Sequence, residues 1–149
     1  MDVVVFELAG GNRCAVEMGS VDEVISLGPV TPVPSAPPAV LGAMNVRGQI
    51  CPILRLEQLL EGTARLDSPL QGRPCLLVRA RDCQVVFCVG RIEEVARLGR
   101  ARVISSGGPE MLVSAVLDTA RGTLWLVDVE QVVQHVTRQV RELASRVAQ

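Results

Sequence analysis

Apolar and polar positions alternate with a period of two through much of this chain, the signature of half-buried β-strands. Val3 to Leu8 reads as a strand rich in β-branched residues, and Ala9-Gly10-Gly11-Asn12 follows as a turn. Arg13 to Met18 alternates again, so the opening predicts a hairpin. Further strand-like runs occupy Leu41–Arg47, Gln49–Leu54, Cys75–Arg81, Gln84–Val89, Met111–Leu117 and Thr123–Val129. They are short and divided by Gly- or Pro-containing turns, which predicts small antiparallel barrels. No long helical pattern separates successive strands, which argues against a βαβ nucleotide fold. The period changes only at the end. From Glu130 onward, Val132, Val133, Val136, Val140, Leu143 and Val147 recur at spacings of three and four, predicting an amphipathic helix over 130–149.

Two features organise the middle of the chain. The segment GPVTPVPSAPP (28–38) holds five of the nine prolines, so it must be extended and cannot join a central strand. It reads as a stiff connector. The second feature is an internal repeat. Val21–Gly28 reads VDEVISLG and Ile92–Gly99 reads IEEVARLG, 71 positions later. Arg47–Leu60 (RGQICPILRLEQLL) matches Arg121–Val133 (RGTLWLVDVEQVV) after a one-residue gap. Two matching blocks in the same order predict a single domain over 1–149 of two similar β-rich halves. Their approximate limits are 1–70 and 71–133, with room for strands to interleave between the barrels.

Composition narrows the function. With 149 residues, 48% of them hydrophobic and 21% charged, the chain can bury a core unaided. Charge nearly cancels at net −1, which removes the broad positive field that sequence-independent nucleic-acid binding needs. Every cation is arginine, so lysine Schiff-base and P-loop chemistry are excluded. Phe6, Phe87 and Trp125 are the sole aromatics, too few for a base-stacking platform. The N-terminus lacks the basic region of a signal peptide, and no apolar run approaches a membrane span. A cytoplasmic protein without direct membrane insertion is expected.

The inventory of reactive groups is thin. The lone histidine, His135, lies in the helical stretch without metal ligands at suitable spacing, and reads as structural or surface. No cysteine or serine sits in a nucleophile motif with it, and no phosphate loop is present. Asp22-Glu23 and Glu93-Glu94 read as polar faces of short elements. The five cysteines (Cys14, Cys51, Cys75, Cys83, Cys88) show no CxxC spacing and read as reduced core thiols. A thiol-dependent activity would need a cysteine beside a cation, which leaves Cys14 next to Arg13 and Cys75 near Arg73. The expectation is a binding protein with no cofactor, no metal and no catalysis.

Taken in order, VVVFELAGGNRCAVEMGSVDEVI, PVTPVPSAPPAVLGAMNVRGQICPI, VGRIEEVARL and LWLVDVEQVV resemble the CheW family of bacterial chemotaxis coupling proteins. The resemblance runs from about Val3 to Val133. Its most specific block is Pro34 to Pro52, with Gly42, then Asn45-Val46-Arg47-Gly48, then Pro52. It implies two five-stranded SH3-like β-barrels and a non-enzymatic adaptor. Such a protein bridges the cytoplasmic tip of chemoreceptors to the regulatory domain of a CheA-type histidine kinase. It also implies partner contacts at Val21, Glu23, Gly42, Asn45 and Arg47. The planar donor fork of Arg47 suits an interface anchor, and Gly48 lets the backbone turn behind it. The rival for Arg47 is plain hairpin-turn chemistry, and for Val21 burial in a barrel core.

The chain departs from the family pattern in two places. Arg55 stands where the family usually has an aspartate, while the second half keeps an acid at the corresponding point, Asp128. The stretch from Gly99 to Leu112 looks shortened. Altered charge there could redirect partner choice, and the alternative is a diverged CheW-like scaffold serving a non-flagellar motility or developmental system.

Overall fold

The computed structural model describes residues 1–62, 72–99, 102–106 and 111–147. The first hairpin is β1 (Asp2–Glu7) and β2 (Arg13–Glu17), followed by β3 (Val21–Ser26). A second hairpin, β4 (Val40–Val46) and β5 (Gln49–Arg55), leads into the short helix α1 (Leu56–Leu60). Then come β6 (Pro74–Ala80), β7 (Cys83–Cys88), β8 (Arg91–Arg97) and β9 (Arg102–Ser106). The hairpin β10 (Val113–Thr119) and β11 (Gly122–Val127) ends in α2 (Val129–Val147).

These strands form two sheets, ordered β8-β1-β2-β11-β10-β9 and β3-β6-β7-β5-β4. The two orders superimpose strand for strand, except that the first sheet gains β9. In each, a central hairpin (β1-β2 or β6-β7) pairs antiparallel with one single strand and parallel with the second strand of another hairpin, β10-β11 or β4-β5. The single strand and later hairpin that follow β1-β2 in sequence belong to the other sheet, so the sheets interleave along the chain. The two matched blocks of the repeat become β3 and β8, and then β5-α1 and β11-α2.

Strands of both sheets alternate between two apolar interiors. Val3 and Val5 face the interior enclosed by the first sheet, while Val4 and Phe6 face a core shared by both sheets. On β6, Cys75 and Leu77 face the interior of the second sheet, while Leu76, Val78 and Ala80 join the shared core. Burial on both faces explains why β1, β6 and β7 carry near-continuous apolar runs. Helix α2 closes the shared core with Val129, Val132 and Val136. Leu56 and Leu60 of α1 enter the same core. Glu61, just after α1, accepts hydrogen bonds from Gly10 N–H at 2.9 Å and Asn12 Nδ2 at 2.5 Å, fixing the β1–β2 turn.

The predicted strands are present with ends shifted by one or two residues, and the helix starts one residue earlier, at Val129; residues 148–149 of the expected helix lie outside the described residues. The chain adds β3, β8, β9 and α1. Among the described residues the sheets hold six and five strands, in keeping with the expected duplicated β fold, and the region between Gly99 and Leu112 that read as shortened contains β9. Gly107-Gly108 lies outside the described residues.

Candidate functional site

The sequence between β4 and β5 leaves a two-residue loop, because Val46 pairs with Gln49. Arg47 and Gly48 fill it with φ of +50° and +86°, the paired left-handed conformation of a tight hairpin turn. Glycine adopts this freely, whereas an arginine with positive φ needs support. Asn45 supplies some: its Oδ1 accepts the Gly48 N–H at 2.7 Å. The turn projects the Arg47 side chain into solvent, 72% exposed, where Nη2 donates to Oε1 of Glu23.

That ion pair has a particular place in the fold. Glu23 lies on β3 and Arg47 at the end of β4, the two outer strands of the second sheet. The pair therefore joins two edges that no strand pairing joins. Beside it, Ile50, the cross-strand partner of Asn45, is 70% exposed, and Val24 is exposed as well. An exposed ion pair stabilises a fold only weakly, about 0–1 kcal/mol. This end of the sheet thus presents a charge, an amide and two uncovered apolar side chains.

The first sheet repeats the arrangement. Arg121, in the turn between β10 and β11, donates to Glu94 of β8 at 2.9 Å, and Val95 is exposed as Val24 is. Behind each pair sits a bulge residue that the edge-strand register skips: Asp22 in β3 and Glu93 in β8. Asp22 binds Gln84 at 2.6 Å and Arg79 at 3.0 Å. The hydrogen bond from Gln84 holds its carboxyl below the usual range; burial opposes this, and Arg79 adds to the lowering. Glu93 binds Arg13 at 3.1 Å and Arg91 at 3.3 Å. Burial pushes its carboxyl up, but the arginines outweigh this and leave it depressed.

Of the five residues singled out from the sequence, Glu23, Asn45 and Arg47 meet at one end of the second sheet. Gly42 and Val21 stand elsewhere. Gly42 is buried under the proline segment, where an added Cβ would lie 2.6 Å from the Thr31 carbonyl oxygen. Val21 is half-buried and packs on the shared core. Sequence reading did not connect Arg121 with Glu94 as a second copy of the Arg47–Glu23 pair; the internal repeat carried that signal.

Arg55 folds back along the proline segment. It is half-buried, and its Nη2 donates to the Pro38 carbonyl at 2.5 Å, tying the proline segment to β5. Its counterpart Asp128 accepts the Gln131 N–H at 3.1 Å and caps α2. Of the thiol candidates, Cys14 is fully buried, and burial followed by the Glu61 charge pushes its thiol far up. The half-buried His135 lies on α2. Among the described residues no three His, Cys, Asp or Glu side chains gather as metal ligands. Nor is any helix among them long and apolar enough to cross a membrane.

Comparison with known proteins bears on this architecture. Residues 2–137 match the family model of the CheW-like domain. The Chemotaxis protein CheW of Thermotoga maritima is 29% identical over 97 residues, a match spanning 65% of this chain and 62% of that relative. The crystal structure of the scaffolding protein TtCheW from Thermoanaerobacter tengcongensis aligns with a TM-score of 0.73 at 20% identity. That alignment covers 86% of this chain and 84% of that one. The duplicated sheets, their interleaved strands and a family match running through nearly the whole sequence lead to one conclusion: this chain belongs to the family of CheW-like domains.

Proposed function

We propose that this chain is a non-enzymatic adaptor that couples chemoreceptors to a CheA-type histidine kinase in a chemosensory assembly. The observation that carries the reading is the open end of the second sheet, where Arg47, Asn45 and Glu23 stand beside the uncovered Ile50 and Val24. Exposed apolar side chains rimmed by polar groups mark surfaces that partner chains engage, and an arginine fork beside apolar side chains is a common energetic anchor. Val21 and Gly42 contribute indirectly here: Val21 seats β3, and Gly42 allows the proline segment to lie against β4. The duplicated end at Arg121 and Glu94 provides a second face of similar chemistry, as a bridging protein with two neighbours requires. Membership of the CheW-like family supports the same role; the adaptor would work in the cytoplasm, recruited to receptor arrays.

Capture of the full chain by a kinase regulatory domain, and separately by a receptor cytoplasmic fragment, tests this. Arg47→Glu should leave the fold intact and weaken association with at least one of them by at least ~1 kcal/mol. Capture of the variant at wild-type level by both partners would remove the role assigned to this end of the sheet.

A further inference from the structure

Cys75 on β6 and Cys88 on β7 stand directly opposite each other in the antiparallel register. Both are fully buried in the interior enclosed by the second sheet. The adjoining pair, Pro74 and Val89, carries the backbone bond, Val89 N–H donating to the Pro74 carbonyl at 3.4 Å. Bonded and non-bonded pairs alternate along such a ladder, so Cys75 and Cys88 form a non-hydrogen-bonded pair, with Cα atoms about 4.5 Å apart. That separation falls inside the span of about 4.4–6.8 Å that a disulfide bridges. Cys75 is the second residue of β6 and Cys88 the last of β7, so the pair lies at the end of the hairpin away from its turn.

The surroundings are polar for so buried a place. Glu57 is completely buried, and its Oε1 lies 3.6 Å from Nη1 of Arg73, too far for a good hydrogen bond. Among the described residues, neither carboxylate oxygen nor that Nη1 has a hydrogen-bond partner. The Cys75 thiol points to the Arg73 carbonyl at 3.7 Å. With the Cys75 thiol turned instead to the Cys88 sulfur, that hydrogen bond holds the Cys88 thiol below its usual range; burial and the Glu57 charge oppose this and the Arg73 charge reinforces it. The same hydrogen bond, then burial, drives Cys75 up. The corresponding pair in the first sheet is Val3 and Glu17, so the fold itself does not require sulfur at this point.

We propose that Cys75 and Cys88 are a redox pair, oxidised by a peroxide to a disulfide and reopened by a dithiol. The Cys88 thiolate attacks one oxygen of the peroxide. An S–O bond forms, the O–O bond breaks, and the departing hydroxide takes up a proton to become water. The sulfur is thereby oxidised to a sulfenic acid. The Cys75 sulfur then attacks the Cys88 sulfur; the S–S bond forms, the S–O bond breaks, and the hydroxyl leaves with the Cys75 proton as a second water. In sum, two thiols and one hydrogen peroxide give one disulfide and two waters. Arg73 is a positioning residue that favours the thiolate on Cys88.

The test uses the full chain carrying Cys83→Ser, which removes the one exposed thiol. After treatment with hydrogen peroxide, free thiols are counted in denaturant and tryptic peptides are weighed. Two thiols should disappear, the peptide holding Cys75 should be joined to that holding Cys88, and dithiothreitol should restore both. Cys75→Ala and Cys88→Ala should each abolish the link. Arg73→Gln should slow the reaction, because the cation that favours the thiolate is lost, and Arg73→Lys should restore much of the rate. Thiols that survive peroxide until the chain is unfolded in urea would overturn the proposal. So would oxygenation of Cys88 without a link to Cys75, or a disulfide to another cysteine. A Gln variant as fast as the parent would remove the role of Arg73.

Discussion

The chain leaving β3 and the chain leaving β8 start from equivalent edge strands and reach equivalent hairpins, yet they build different things. After β8 the chain forms β9, which pairs with β10 through Ala115, Val116, Leu117 and Asp118. After β3 it runs into the prolines, and only one bridge to β4 survives, between Thr31 and Ala43, with bonds of 2.8 and 2.9 Å. Ala43 occupies the position of Val116 in the other hairpin, so the lone bridge stands where β9 would run. Proline has no N–H to donate, and flanking prolines at 29, 32 and 34 limit the pairing to the single residue able to make it. The sixth strand of one sheet and the five strands of the other thus follow from local chemistry.

The same comparison explains Gly42. Its counterpart in the first sheet is Ala115, which carries a methyl group where β9 runs beside β10, opposite Ser106. At Gly42 the proline segment approaches so closely that no side chain fits. The helices diverge too. Asp128 caps the 19-residue α2, whereas Arg55 cannot accept from backbone N–H groups and begins a helix of five residues. Its guanidinium holds Pro38 instead.

Changes in the core should have the largest effects and break both halves together. Phe87 is fully buried in the shared core, so Phe87→Ala should lower stability by about 3–5 kcal/mol, measured by urea unfolding. A single cooperative transition is expected, since the interleaved sheets share that core. The next test separates the halves. Gly42→Ala should destabilise by about 1–3 kcal/mol through overpacking against Thr31. Ala115→Gly, at the equivalent point, should change stability by only about 0.5–1 kcal/mol. Equal effects would undo the contrast between the two positions. Asp128→Ala should cost about 1 kcal/mol through loss of the cap, read as a lower Tm.

The acid response should be smaller and shared. Asp22 and Glu93 both have depressed carboxyls in the folded chain. The unfolded chain therefore binds protons more readily, so their contribution is full above the ordinary carboxylate value near about 4 and is lost as pH falls through the lower folded values. Urea midpoints measured from neutral to acid pH should decline at the acid end. Asp22→Asn and Glu93→Gln should each reduce that decline; an unchanged slope would show that the bulge carboxylates do not drive it.

Much of this architecture was legible in the sequence because strands buried on both faces, such as β1 and β6, leave strong apolar runs. The edge strands β3 and β8 were hidden: exposed Val24 and Val95 mix apolar residues into the solvent face, and the bulges at Asp22 and Glu93 break the alternation. Helix α1 is too short to show a period, and β9 is a five-residue edge strand. At the candidate site, Asn45, Arg47 and Gly48 could be read as a turn. Glu23, distant in sequence, is brought beside Arg47 only by the closing together of two sheet edges. Gly42 carried a backbone requirement, and Val21 a packing one.

The decisive measurement is calorimetric titration of a CheA-type kinase regulatory domain with wild type, Arg47→Glu, and the charge-swapped pair Arg47→Glu with Glu23→Arg, alongside their Tm values. The swap should restore the Tm of the wild type, because it rebuilds the ion pair between the sheet edges. Affinity should stay at least about fivefold weaker in both variants, as loss of an interface anchor requires. Wild-type affinity in Arg47→Glu, or recovery of affinity in step with Tm, would contradict the claim that this end of the sheet grips a partner.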